Sequence, residues 1–207
     1  MNSDVQALLD ALRERAGATP ELAGLDLATL ARPSVRLSAQ RVPYARIGIG
    51  DSRIWGVPDV PPGFEWPRWL PARPRDDKFG NRWQPQQPAA LGFIAQIDMS
   101  AIPQLDETLP SLGWLYFFYD RYCEPWGFDP ADRGCCHVAY VDCDRSSLIR
   151  PKSPADLEPE HVGYPCLADA WPELTLPDES PDLESSMVLL PIKLTTRSTM
   201  TCAGLVD

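Results

Sequence analysis

The chain has 207 residues, a formal net charge of −10 and 44% hydrophobic residues, the proportions of a globular domain rather than of a disordered chain. Such acidity argues against nucleic acid as a partner, because a binder of phosphate backbones needs a basic face. No run approaches the ~18 apolar residues of a membrane span.

The opening "MNSDVQALLD" lacks the basic-then-apolar order of a signal peptide, so a cytoplasmic location with reduced thiols is expected. Residues 3–16 form the clearest helix. Ser3 and Gln6 have capping-box spacing, and Val5, Leu8, Leu9 and Leu12 make one apolar stripe. Gly17 is its expected stop. A second, weaker helix follows Pro20, using Leu22, Leu25, Leu27 and Leu30. The stretch "SVRLSAQRV" alternates as a half-buried strand does, and residues 50–90 read as loop, rich in Pro, Gly, Trp and Arg.

Two strong strands come next. In "LGFIAQIDM", Leu91, Phe93, Ala95, Ile97 and Met99 are expected on one face, with Gln96 and Asp98 on the other. In "GWLYFFYD" both faces are apolar, the mark of a central strand. A third strand is expected in "CCHVAYVDCD". Before it, "DPADRG" predicts one helical turn, with Asp129 as cap accepting the amide of Asp132, Pro130 at the first position and Gly134 at the exit. Arg133 is within reach of a nearby carboxylate. Residues 153–186 hold nine carboxylates and no Lys or Arg, and read as a solvated stretch with one or two short strands, or as an acidic interaction surface. With 23 prolines in the chain, long irregular connections complete an α+β fold, N-terminal helices packed on a mixed or antiparallel sheet.

Four passages between Ser52 and Val141 resemble the YwqG-like family of bacterial proteins: "SRIWGVPDVPPGFEWP", "LGFIAQIDMSAIP", "LPSLGWLYFFYD" and "WGFDPADRGCCHVAYV". The resemblance covers a little under half the chain and implies the same α+β architecture. It implies no established reaction, substrate or cofactor; a toxin-neutralising role is one version of the binding function it allows. Trp55-Gly56 stands where the family commonly has Gly-Gly, so a rearranged loop is expected there. The family's second strand pair is not recognisable near the C-terminus. The expectation is therefore a short or truncated member, with a single domain over residues 1–190, its helical part at 3–32, and a poorly packed tail over 191–207.

Chemistry is narrowed by exclusion. There is no C-x-x-C pair, no G-x-S-x-G elbow and no phosphate-loop spacing. Adjacent Cys135 and Cys136 point to opposite faces of a strand. Cys135 and His137 share a face, which leaves a residual metal reading against the commoner one of a buried thiol. No metal, cofactor or catalytic residue is assigned. The feature that stands out lies between Trp66 and Trp83: Arg68, Arg73, Arg75, Lys78 and Arg82 interleaved with Trp69 and Phe79. Arginine forks and stacking there suit an anionic partner, or the arginines pair with the chain's own acidic segment. The expected function is a non-enzymatic binding or protein-interaction module. Its candidate contact residues are Arg73, Arg75, Arg82, Trp69, Trp83, Gln96 and Asp98. The alternative is an enzyme with a carboxylate site around Gln96, Asp98 and Asp120, with Glu65 as a further candidate.

Overall fold

A computed structural model describes residues 3–19, 26–77, 79–105 and 109–176. The fold is α+β. Its contacts divide it into two compact units, one from residues within 1–36, 103–109 and 170–207, the other from 37–102 and 110–169.

The smaller unit holds helix α1 (Ser3–Ala18), the single turn α2 (Leu27–Leu30), the first half of strand β1 (Arg32–Arg41) and the second half of strand β10 (Cys166–Thr175). The apolar stripe of α1 does what its spacing requires. Leu8, Leu9, Leu12 and Ala16 pack with Leu27, Leu30 and Ala31, and with Leu174 and Leu176 at the end of β10. Gln6 does not close a capping box; its amide donates to Asp10, one turn on, at 2.8 Å. Arg36 bonds Glu173 at 2.6 Å. Of the second helix only α2 falls within the described residues, and the tail expected over 191–207 lies outside them.

The larger unit is built on a sheet in the order β10, β2 (Arg53–Ile54), β7 (Gly92–Asp98), β8 (Trp114–Tyr119), β9 (Cys136–Val141). Its described pairings are all antiparallel. Four two-residue strands, β3 (Arg68–Trp69), β4 (Arg75–Asp76), β5 (Arg82–Trp83) and β6 (Ala89–Ala90), break up the expected loop into two small ladders, β3 with β6 and β4 with β5. Strand β10 is ten residues long, so the acidic segment holds more strand than its composition suggested. Gly113 opens β8 at φ 78, where a Cβ would lie 2.6 Å from the Val141 carbonyl oxygen; only glycine fits that corner.

One departure from simple alternation places the polar residues. Between Phe93 and Ala95 the β7–β8 register slips by one residue, a β-bulge at Ile94. Phe93 faces Phe118, while Gln96 faces Tyr116 and Asp98 faces Trp114. The bulge therefore puts Gln96 and Asp98 on the same face as Phe93, the core face, and Ala95 and Ile97 on the other. Phe93, Trp114, Tyr116 and Phe118 form the centre of the core with Val60, Trp69, Leu91, Cys135 and Leu148. The Trp55 indole occupies a left-handed backbone position, φ 67, which favours the glycine found in the similar family. It lies against Gly163, and the Arg121 guanidinium sits 3.9 Å from its ring centre.

Asp59, fully buried, is the hub of the polar core. It bonds Arg53, also fully buried, at 2.9 Å, Arg150 at 2.7 Å and the Gly50 amide at 2.8 Å. Its own amide donates to Gln96 at 2.6 Å, and its carbonyl accepts the Tyr116 hydroxyl at 2.7 Å. Burial alone would raise its pKa, but the bonds from Arg150 and Arg53 outweigh that and hold the carboxyl below the usual range. Burial pushes the Arg53 guanidinium below its ordinary value. Removing one partner of a buried pair leaves an uncompensated charge. Asp59→Ala is expected to cost about 3–5 kcal/mol in urea unfolding. Adding Arg53→Met to that variant should recover part of the loss.

Candidate functional site

The tryptophans of the arginine-rich stretch turn inward, and each of its described arginines pairs with a carboxylate of the fold. Arg68 makes a two-pronged bond to Asp156 at 2.8 and 3.0 Å. Arg73 pairs with Asp129, and Arg75 with Asp132, the latter pair largely shielded from solvent. Arg82 lies 3.4 Å from Asp76 across the β4–β5 ladder, with both side chains in solvent. Only Arg68 among these reaches the acidic segment; Arg73 and Arg75 find the "DPADRG" turn instead. Lys78 lies outside the described residues.

The tryptophans continue the same contact. Trp69 is buried, donates its indole N–H to the Arg133 carbonyl at 2.9 Å, and has Arg75 5.6 Å from its ring centre. Trp83 stacks between Trp69, at 6.3 Å, and Tyr122, at 5.1 Å and nearly parallel. Gly134, at φ 93, allows this closeness, since a Cβ there would lie 2.9 Å from the Trp69 ring. The turn itself is a 3-10 turn over Pro130–Asp132. Asp129 caps it as expected but accepts the Ala131 amide, at 2.9 Å, rather than that of Asp132. Arg133 forms no ion pair among the described residues; Arg73 and Arg75 take the carboxylates.

What this brace holds is the loop just before the turn. Gly127, at φ 80, donates its amide to Asp132 at 3.1 Å. The Tyr119 hydroxyl, at the end of β8, donates to the Pro125 carbonyl. Between these anchors Trp126 and Phe128 project into solvent, 83% and 88% exposed. Two large aromatic side chains flanking one glycine, fixed on both sides, are the most exposed large apolar groups among the described residues. Neither is among the contact residues expected from the sequence. The signal was present in "PWGFDP", two aromatics next to a turn that caps itself, but aromatic residues in a loop more often bury.

Gln96, Asp98 and Asp120 do not meet. Gln96 is spent on the Asp59 amide and on the Asp51 carbonyl, to which it donates at 3.0 Å. Asp98 accepts from Ser100 at 2.9 and 2.6 Å and pairs with Arg145. It borders an open cleft of about 530 Å³ with Trp114, Asp142, Cys143 and Asp144. Asp120 follows the far end of β8, six residues beyond Trp114, the partner of Asp98. At about 3.3 Å per residue that is roughly 20 Å, too far for a carboxylate pair to share one substrate bond. Asp120 is instead enclosed. One oxygen accepts the Tyr122 amide at 2.9 Å, and the other has no hydrogen-bond partner among the described residues. Burial pushes its carboxyl above the usual range, against the pull of the Tyr122 and Cys123 amides. The neighbouring Cys123 thiol is pushed up to about 12, by burial first and then by the Asp120 charge. Cys135 is buried in the core and His137 exposed; among the described residues no group of three or more His, Cys, Asp or Glu is placed to hold a metal ion. No described helix is long and apolar enough to cross a membrane.

Residues 52–203 match the family model of a domain of unknown function, DUF1963. No curated protein matches the chain.

The Asp120 environment has a measurable consequence. Its folded-state pKa is raised, so the unfolded chain releases this proton first as pH rises. The group therefore weakens the fold as pH climbs from about 3.9, the ordinary carboxylate value, through its raised one. Asp120→Asn retains an acceptor for the Tyr122 amide and cannot ionise. In urea unfolding it should be more stable than the wild type at neutral pH, with the advantage vanishing below the ordinary carboxylate pKa.

Proposed function

The chain belongs to the DUF1963 family of domains of unknown function, and for this member we propose a cytoplasmic, non-enzymatic protein-interaction module of the YwqG-like kind. The observation that carries the proposal is the Trp126-Gly127-Phe128 loop. Two exposed aromatic side chains are held there by backbone and carboxylate anchors rather than left on a loose tip. Aromatic anchors fixed in advance lose little conformational entropy on docking, and they dominate the energetics of protein interfaces.

In this reading the candidate residues divide by role. Arg73, Arg75, Trp69 and Trp83 position the loop through Asp129, Asp132 and the Arg133 carbonyl, while Arg82 and Phe79 lie at the solvent rim. Gln96 and Asp98 belong to the internal scaffold. The partner's docking site is apolar enough to receive two aromatic rings, and a toxin is one class of protein that fits.

The double variant Trp126→Ala, Phe128→Ala is expected to keep the wild-type urea midpoint, because both side chains are exposed. It should lose the partner captured from native lysate by the immobilised wild type. Retention of the same partner by the variant would place the contact elsewhere on the protein.

A further inference from the structure

Strand β9 ends the sheet, and among the described residues nothing pairs with its outer edge. Natural edge strands are usually blunted by lysine, proline, bulges or inward-pointing charge. Strand β1, which follows β10 as the opposite end of the sheet, shows such devices, with Pro33, Arg32, Arg36 and Arg41. Strand β9, "CHVAYV", has none, and its six-residue register with β8 runs without a slip. Its two faces differ. Ala139 and Val141 pack on the core, whereas Cys136 is exposed, Val138 is 56% exposed and Tyr140 is 47% exposed, in a row on the other face.

We propose that β9 pairs antiparallel with β9 of a second copy of this chain, about a two-fold axis through Val138. The geometry restricts the choice. In an antiparallel ladder, residues whose backbone groups point outward must meet each other, so a strand paired with its own copy has its axis on a residue, not between two. With the axis at Val138, Val138 faces its own counterpart, and Cys136 and Tyr140 face each other twice, closing the exposed row on itself.

Charge favours the same occupant. Arg133, exposed and in no ion pair among the described residues, precedes the strand; exposed Asp142 and Asp144 follow it, also without a cationic partner among them. An axis at Val138 carries the Arg133 end of each copy to the stretch between Asp142 and Asp144 of the other, so the attraction occurs twice. The strand itself carries no charged residue, and repulsion between the two chains of −10 is screened beyond about 8 Å at physiological salt.

Sedimentation equilibrium of the full chain, from micromolar to hundreds of micromolar, tests this. The wild type should be a reversible dimer. Val138→Lys and Val138→Glu, substitutions at an exposed position, should each be folded and monomeric, because like charges then face each other across the axis. Mixed in equal amounts, the two variants should form a heterodimer. Arg133→Glu should weaken the wild-type dimer roughly fivefold, as two exposed ion pairs become repulsions. A wild type that stays monomeric, a Val138→Lys dimer as tight as the wild type, a mixture that does not associate, or an Arg133→Glu dimer of unchanged affinity would each overturn the proposal.

Discussion

A buried carboxylate organises the larger unit. Asp59 lies with Arg53 in the interior, where an unpaired charge of either sign is far more costly than the pair. Its side chain holds the Gly50 amide and Arg150, while its backbone holds Gln96 of β7 and Tyr116 of β8. Loop, two central strands and a distant arginine are thus tied to one residue. The arrangement depends on the bulge at Ile94, which turns Gln96 toward the core face. Without that extra residue Gln96 would face the other way, and the Asp59 amide would lose its acceptor.

The second organising contact is between an arginine-rich stretch and an acidic turn. Either alone would suggest a binding site for the opposite charge. Together they satisfy each other: Arg73 with Asp129, Arg75 with Asp132, and the Trp69 indole with the Arg133 carbonyl. The neutral block so formed supports the Trp126 and Phe128 loop. Charge serves here to fix a position, and in the proposed reading the exposed aromatic surface is the part a partner would meet.

The parts legible in the sequence were those fixed by local rules. The α1 stripe, strands β7, β8 and β9, and the Asp129-Pro130 turn all follow from periodicity or capping within a few residues. The faces of Gln96 and Asp98 were not legible, because one bulged residue inverts every position beyond it and leaves no mark on composition. The partners of Arg73 and Arg75 lie 56 and 57 residues away along the chain, a pairing that charge counting cannot locate. The separation of Asp98 from Asp120 follows from strand register alone, once β8 is known to run between them.

The aromatic loop is held in one position in the free protein. Amide hydrogen exchange measured residue by residue on the free protein tests this most directly. Gly127 and Ala131, which donate to Asp132 and Asp129, should exchange far more slowly than an unstructured chain, although the neighbouring Trp126 and Phe128 side chains are almost fully exposed. Exchange of those two amides at the rate of an unstructured chain would mean that the loop is not held in place by Asp129 and Asp132.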